Sequence, residues 1–267
     1  MTRKRKLWMR LTMLSLFMLI FVAPVILMFL KSVSFGWSWP DWRPTQFDLR
    51  GWRVVFGDPR IFSSLWNTIL IAGVVVMLNF IIATPAAYAL SRFHFRGKAI
   101  IESLLMLPIL IPVLAIAMGL HLTMIRLGLT DQVLGVIFIH LLPTLPYAIR
   151  VLKSGFDRLK NEWEEQGAVL GANSQTVFWT VMVPLMTPSI RSTAVLVFVI
   201  SLSQYVLTAI IGGGTVSTLP MIYYPFFTSA DEAVIASFSV LFALLPIMFL
   251  ILFEITLRVY LRVIKRP

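Results

Sequence analysis

The chain has no cysteine and only three histidines among its 267 residues. Disulfides and thiolate metal sites are therefore excluded, and His94, His121 and His140 match no metal-ligand spacing. Charge is scarce as well: 13% of residues are charged, and 12 acids face 23 Lys and Arg, for a net +11. Apolar residues fill the space, at 58% of the chain and a mean hydropathy of +0.88. A soluble domain of this length needs far more polar surface, so the composition is that of a membrane protein. The chain also lacks His-Glu-x-x-His, Gly-x-Ser-x-Gly and paired Asp in apolar runs. A membrane-embedded protease or lipid transferase would need such a constellation. The basic excess does not read as nucleic-acid binding, because it lies at the ends of apolar runs and forms no separate domain.

A helix needs about 20 apolar residues to cross a bilayer. Six runs qualify: Leu11–Leu30, Thr68–Leu90, Leu104–Met124, Leu134–Leu152, Pro184–Leu207 and Ile235–Leu257. Pro108 and Pro112 interrupt the third, and Pro143 and Pro146 the fourth. Proline is tolerated in spans where neighbours satisfy the freed carbonyls. Two kinked neighbours suit a passage or cavity, and they suit plain packing equally. The first run is too long for the core of a signal peptide, and no small-x-small cleavage site follows it. It is read as a retained helix.

Lys and Arg mark the cytoplasmic side of a membrane protein. Arg3, Lys4, Arg5, Lys6 and Arg10 precede the first run; Arg92, Arg96 and Lys98 follow the second. Lys153, Arg158 and Lys160 follow the fourth, with Arg150 at its edge; Arg191 lies in the fifth, and Arg258, Arg262, Lys265 and Arg266 end the chain. The other face keeps Lys31, Arg43, Arg50, Arg53, Arg60 and Arg126. Both termini are thus expected in the cytoplasm, with residues 1–10 as a cytoplasmic segment and 11–267 as one membrane domain. The long loop 31–67 is the exception to the count, and long loops weigh less in this rule.

That loop carries Trp37, Trp39, Trp42, Trp52 and Trp66, with Leu49–Phe56 as a short interfacial helix. An indole belt at the headgroups explains it, and so does a docking surface for an extracellular partner. Gly212-Gly213-Gly214 lies in the loop before the sixth run. Without a following helix and lysine it reads as a turn and not as a phosphate cradle. Glu102, Glu254 and Arg191 sit near cytoplasmic span ends, where interfacial pairing accounts for them. Tyr147, Ser201, Ser203, Gln204 and Tyr205 are polar candidates for a solute path through the membrane. Helix–helix hydrogen bonding explains each of them equally well.

The segment Phe156–Val183 turns polar between two apolar runs. Asn161 with Glu164 reads as a variant capping box, opening a short helix to about Leu170. Trp163, Gly167 and Leu170 share one face; Glu162, Glu165 and Val169 share another. Gly171 suits the end of that helix, and Asn173 suits the cap of a second one running into the fifth span. By pattern alone this is a helix-turn-helix on the cytoplasmic surface, and an ordinary amphipathic connector has the same pattern.

Glu165, Gly171, Phe178 and Pro184 stand at offsets that resemble the EAA loop of ATP-binding-cassette (ABC) importer permeases. Ala172 completes the usual Gly-Ala pair, Val181 and Val183 take the usual apolar places, and Pro188 follows. Gln166 and Gly167 depart from the family's two alanines; Gly167 still allows close packing. Asn67-Thr68, Pro85–Leu90 and the Pro-rich third run are similar to the same family, and Gly212–Gly214 with Thr218-Leu219-Pro220 resembles its polyamine, thiamine and ferric-ion branch. Ser203-Gln204-Tyr205 stands where polyamine members tend to carry acids, which counts against a polycationic solute. The resemblance implies an all-α, type I (MetI-like) permease fold of six transmembrane helices in a bacterial inner membrane. It implies no cofactor, no catalytic residue and no reaction of the chain's own. The implied partners are two ATP-binding subunits, a second permease, an extracytoplasmic substrate-binding protein and membrane lipid. Glu165, Gly167, Gly171, Ala172, Phe178 and Pro184 would couple the chain to the ATPase, with Glu165 pairing to a basic groove residue. A passive channel or a scaffold subunit is the other class considered, and it has no need of this spacing.

Overall fold

The computed structural model describes residues 3–38, 40–159, 162–228 and 231–264. Trp39, Lys160 and Asn161 lie outside them, and with Asn161 the expected first cap of the polar loop. In chain order, α1 (Arg3–Phe17) continues through a π-helical turn (Met18–Val22) into α2 (Ala23–Ser32). A two-stranded antiparallel hairpin follows, β1 (Ser34–Phe35) with β2 (Gln46–Phe47), pairing Ser34 with Phe47. Then come α3 (Arg50–Gly57), α4 (Ile61–Arg92), α5 (Lys98–Leu110), α6 (Val113–Arg126) and α7 (Val133–Arg158). The polar loop holds α8 (Glu162–Val169) and α9 (Ser174–Val177), a π-helical turn (Phe178–Met182) and α10 (Val183–Leu185). The chain closes with α11 (Thr187–Leu202), α12 (Tyr205–Ile211), α13 (Leu219–Tyr223), a 3-10 turn (Tyr224–Thr228) and α14 (Glu232–Ile264).

Among the described residues, four helical stretches are long and apolar enough to cross a membrane: Trp8–Ser32, Ile61–Arg92, Val133–Arg158 and Glu232–Ile264. Two more qualify only if a bent pair counts as one span, for a total of up to six. The third expected run is one of these, bent by 99° between α5 and α6. Pro112 is the cause: it disfavours helical backbone at Ile111, which is extended at φ −88° and ψ 133°. The fifth is the other. Helix already runs from Ser174 to Leu185, ten residues before the expected start, then turns by 75° at Met186 into α11. Pro188 in the first turn of α11 suits a helix start and cannot continue the previous helix. The same run breaks again at Ser203–Gln204 before α12. By contrast α7 continues through Pro143 and Pro146. The expected helix at 49–56 is present as α3, and the glycine triplet is a turn in which Thr215 N donates to Gly212 O at 2.9 Å.

Contacts divide the chain into Met1–Phe62 with Ile222–Leu245, and Ser63–Met221 with Pro246–Pro267. In the first unit, Gly51 meets the backbone of Ala233 so closely that any Cβ would lie 2.5 Å from its carbonyl oxygen. Arg50 pairs with Asp231 at 3.0 Å, and Lys31 with Glu232. The apolar side chains of Met13–Phe21 are exposed, as on a helix that faces lipid or another chain.

The second unit is built around α7, whose inward face buries Val136, Ile139, Ala148, Leu152 and Phe156. Ala117, Ile139, Leu207 and Ile211 form one apolar cluster where α6, α7 and α12 meet. A layer of ionic contacts ties one end of this unit together. Ser91 Oγ donates to Asp157 at 2.6 Å, and Lys153 reaches Glu102 at 3.6 Å. Arg158 donates to Ser189 Oγ at 2.6 Å, and Arg191 and Arg258 meet Glu254 at 2.7 and 2.8 Å. The ends of α4, α7 and α14 and the starts of α5 and α11 therefore share one level. Glu102, Glu254 and Arg191 are the interfacial pairs that their sequence positions suggest.

Candidate functional site

The polar loop begins with Glu162, Glu164 and Glu165 in the first turn of α8, where the helix dipole favours negative charge. Its end is closed by two backbone bonds, Ala172 N to Gly167 O at 2.9 Å and Gly171 N to Ala168 O at 3.0 Å. This is the Schellman pattern, and it requires left-handed backbone at Gly171, whose φ is +78°. Asn173 then caps α9: its Oδ1 accepts from Thr176 N at 2.7 Å. Gly167 is where the two helices touch. A Cβ there would lie 2.4 Å from Val177 Cγ2, so only glycine fits. The expected turn, second cap and close packing are thus all present.

The large apolar side chains of α8 are not buried against their own chain. Val169 is 87% exposed and Leu170 86%, and Trp163 is also exposed. Glu165 is exposed and makes no ion pair or hydrogen bond among the described residues. Phe178 stands edge-on to Trp179 at 5.1 Å and lines a cavity of about 830 Å³ with Phe80, Tyr88, Met182 and Phe253. Pro184 sits at the start of α10, just before the 75° bend.

Glu164, the neighbour of Glu165, turns inward. Its Oε1 accepts from Arg92 Nε at 2.9 Å and its Oε2 from the Tyr88 hydroxyl at 2.7 Å. Arg92 Nη1 also donates to Leu159 O at 2.9 Å and Phe156 O at 3.3 Å. Tyr88 packs edge-on against Phe156 at 5.5 Å. Sequence reasoning counted Arg92 only as a topological charge; nothing local to either residue signals this pairing.

Deeper in the second unit a buried polar cluster surrounds His140. Its Nδ1 lies 3.0 Å from Ser201 Oγ and its Nε2 3.0 Å from Thr208 Oγ1. Thr144 donates to His140 O at 2.8 Å and accepts from Asn79 Nδ2 at 2.8 Å. Of the five expected path residues, Ser201 and Gln204 line a void of about 10 Å³ beside His140, with Thr68, Ile71 and Thr218. Ser203 is exposed and bonds locally to Ile200 O at 2.9 Å; Tyr147 is half-buried on α7; neither lines that cavity, nor does Tyr205. The structure therefore joins two of the five and adds His140, Thr208, Thr144 and Asn79, which sequence reasoning did not single out.

A helical membrane protein whose spans are interrupted by a polar helical hairpin, and which buries a continuous polar cluster between helices, has the build of a transport subunit. The chain belongs to the family of binding-protein-dependent transport system inner membrane components, whose profile matches residues 80–264. It is similar to the molybdate/tungstate transport system permease protein WtpB of Pyrococcus abyssi, at 26% identity over 192 residues, 72% of each chain. It is also similar to the spermidine/putrescine transport system permease protein PotC of Haemophilus influenzae, at 24% over 201 residues, 74% of this chain and 76% of that one. Among solved structures, a chain of a bacterial ABC transporter involved in the import of the polysaccharide alginate superposes with a TM-score of 0.70. That match has 20% identity and covers 97% of this chain and 98% of that one. The fold is that of an ABC importer permease, and the chain is a multi-pass membrane subunit of such an importer. It is no enzyme: ATP hydrolysis is carried by separate subunits.

Proposed function

We propose that this permease is driven through residues 161–184 by two ATP-binding subunits. A second permease, identical or homologous, would complete the passage, and an extracytoplasmic binding protein would deliver the solute. In this reading the chain forms one permease domain over 11–267, with core spans in 68–257 and six spans in all. Each bent pair counts as one span, and both termini are in the cytoplasm of a bacterial cell. The layer of basic span ends supports that orientation, since Arg92, Lys153, Arg158, Arg191 and Arg258 gather at one level.

The observation that carries the reading is Glu165: an exposed carboxylate, unpaired among the described residues, on a hairpin rigidified by Gly171 and Asn173. It is set to pair with a basic residue of the ATPase. Exposed Val169 and Leu170 supply apolar contact beside it. Gly167 and Ala172 keep the hairpin thin, Phe178 packs beneath it, and Pro184 marks where it joins the membrane helix. Nucleotide-driven closure of the ATPases would pull on this hairpin and open the passage outward; hydrolysis would reset it. The solute path would run by Ser201 and Gln204, with Tyr147, Ser203 and Tyr205 as further contacts. Relatives named for molybdate/tungstate and for spermidine/putrescine leave the solute class open.

The test needs no solute. The chain is co-expressed with candidate ATPase subunits and purified by a tag on the ATPase, as wild type and as Glu165→Arg. Co-purification of the wild type and its loss in the variant support the dock. Equal recovery of the two removes Glu165 from it.

A further inference from the structure

We propose that Arg92, clamped between Glu164 and the end of α7, is the fastener that transmits movement of α8 to the membrane helices. It is a positioning residue, and the proposal rests on the coupling role given to this loop above. The guanidinium touches three elements at once. It stands at the last position of α4, donates to Phe156 O in the last turn of α7 and to Leu159 O just past its end, and holds the Glu164 carboxylate of α8. The junction between α7 and α8 lies between those contacts, so one side chain spans it. Tyr88, one turn earlier on α4, completes the grip on Glu164 and packs on Phe156.

Three features separate this pair from an ordinary surface ion pair. First, the Arg92 side chain is only 10% exposed and Glu164 30%, so water screens the pair poorly. Second, the planar fork serves carbonyl and carboxylate acceptors together, which an ammonium group cannot do in one geometry. Third, Glu164 and Glu165 are adjacent on a helix, so their side chains point about 100° apart. One faces the core and the other faces out. Force received at Glu165 therefore reaches α4 and α7 through Glu164 without passing along the hairpin. Phe178, in an apolar cavity, has no directional bond of its own, and the second arm of the hairpin is tied to α14 by a single hydrogen bond to backbone, from the Tyr260 hydroxyl to Trp179 O at 2.8 Å.

The absence of cysteine allows a solute-free test. A single reporter, Ser203→Cys at the exposed end of α11, is introduced and the permease is assembled with its ATPase in nanodiscs. Its labelling by fluorescein maleimide is compared without nucleotide and after ATP-vanadate trapping. The proposal expects a labelling ratio that departs from one by about fivefold or more, the usual range of coupling between sites. Adding Arg92→Gln or Glu164→Gln brings the ratio close to one while the ATPase still co-purifies and hydrolyses ATP. The double variant behaves like either single one, because the two residues act as a unit. Arg92→Lys keeps part of the response, and Tyr88→Phe loses part of it. A full ratio in both single variants, or losses that compound in the double, overturns the fastener and leaves the importer reading standing. If the reporter alone shows no nucleotide response, or no ATPase follows it, the coupling role of the loop fails and this proposal falls with it.

Discussion

Replacing His140 by leucine tests whether the buried polar cluster holds the broken helix together. Ser201 lies in the last turn of α11 and Thr208 in α12, with the break at Ser203–Gln204 between them. The imidazole bonds to both, at 3.0 Å each. The proton positions follow from the neighbours. Thr208 gives its hydroxyl proton to Gln204 O at 2.6 Å, so it accepts from His140 Nε2–H, and Nδ1 then accepts from Ser201. Leucine fills a similar volume but removes both bonds and leaves Ser201 Oγ without its imidazole partner. Side-chain hydrogen bonds between membrane helices are worth about 0.6 kcal/mol on average and up to about 1.7. A buried orphan hydroxyl costs about 1–3 kcal/mol. The two estimates overlap, and a loss of about 1–3 kcal/mol is expected in reversible denaturation in mixed micelles. A cycle with Thr208→Val should show coupling, because each change removes the same bond. His140→Leu at wild-type stability, or strict additivity with Thr208→Val, would refute the clamp.

The hairpin yields two further predictions. Gly171→Val forces a branched side chain into left-handed backbone at φ +78°, a cost of roughly 1–2 kcal/mol. Less ATPase should co-purify with that variant at unchanged membrane insertion; undiminished recovery would remove the turn from the dock. Gly167→Val drives a Cβ to within 2.4 Å of Val177 Cγ2, and overpacking of this kind costs about 1–3 kcal/mol. Adding Val177→Ala makes room, so the pair of changes should recover thermal stability that the single change loses. No recovery would mean that α8 and α9 do not meet at this point.

The hairpin was readable from sequence because its determinants are local. Gly171 N bonds Ala168 O and Ala172 N bonds Gly167 O, and Asn173 caps a residue three positions on. The interrupted spans were half readable. Proline signals a possible break, but the same residue type breaks the helix at Pro112 and leaves α7 whole at Pro143 and Pro146. The surroundings differ, since α7 buries Pro146 and Thr144 whereas no residue of α5 is buried. Yet α5 also runs on through Pro108, so residue type and packing together do not say which proline ends a helix. The His140 cluster was unreadable because its bonds join residues 61, 65 and 68 positions apart. An isolated histidine in an apolar run has no sequence partner to point to.

The charges gathered at one level of span ends show how one set of residues serves two purposes. In sequence they set orientation, and any Lys or Arg would do for that. In the fold the acids among them have partners within the chain. Glu102 is within reach of Lys153, Asp157 takes Ser91 and Lys153, Glu164 takes Arg92 and Tyr88, and Glu254 takes Arg191 and Arg258. An acid in this layer without a basic neighbour gains nothing for the subunit's own stability, and at a membrane surface it adds repulsion among neighbouring acids. Glu165 is such an acid, with Glu162 and Glu164 in the same turn of α8. In the proposed dock its partner lies outside the chain and is basic. Its place beside the 87%-exposed Val169 further requires a surface with an apolar patch next to that base. Glu165→Gln should accordingly weaken ATPase recovery less than Glu165→Arg, because it removes an attraction without creating a repulsion. Equal loss in both variants would mean that the fit of the side chain, and not its charge, makes the contact.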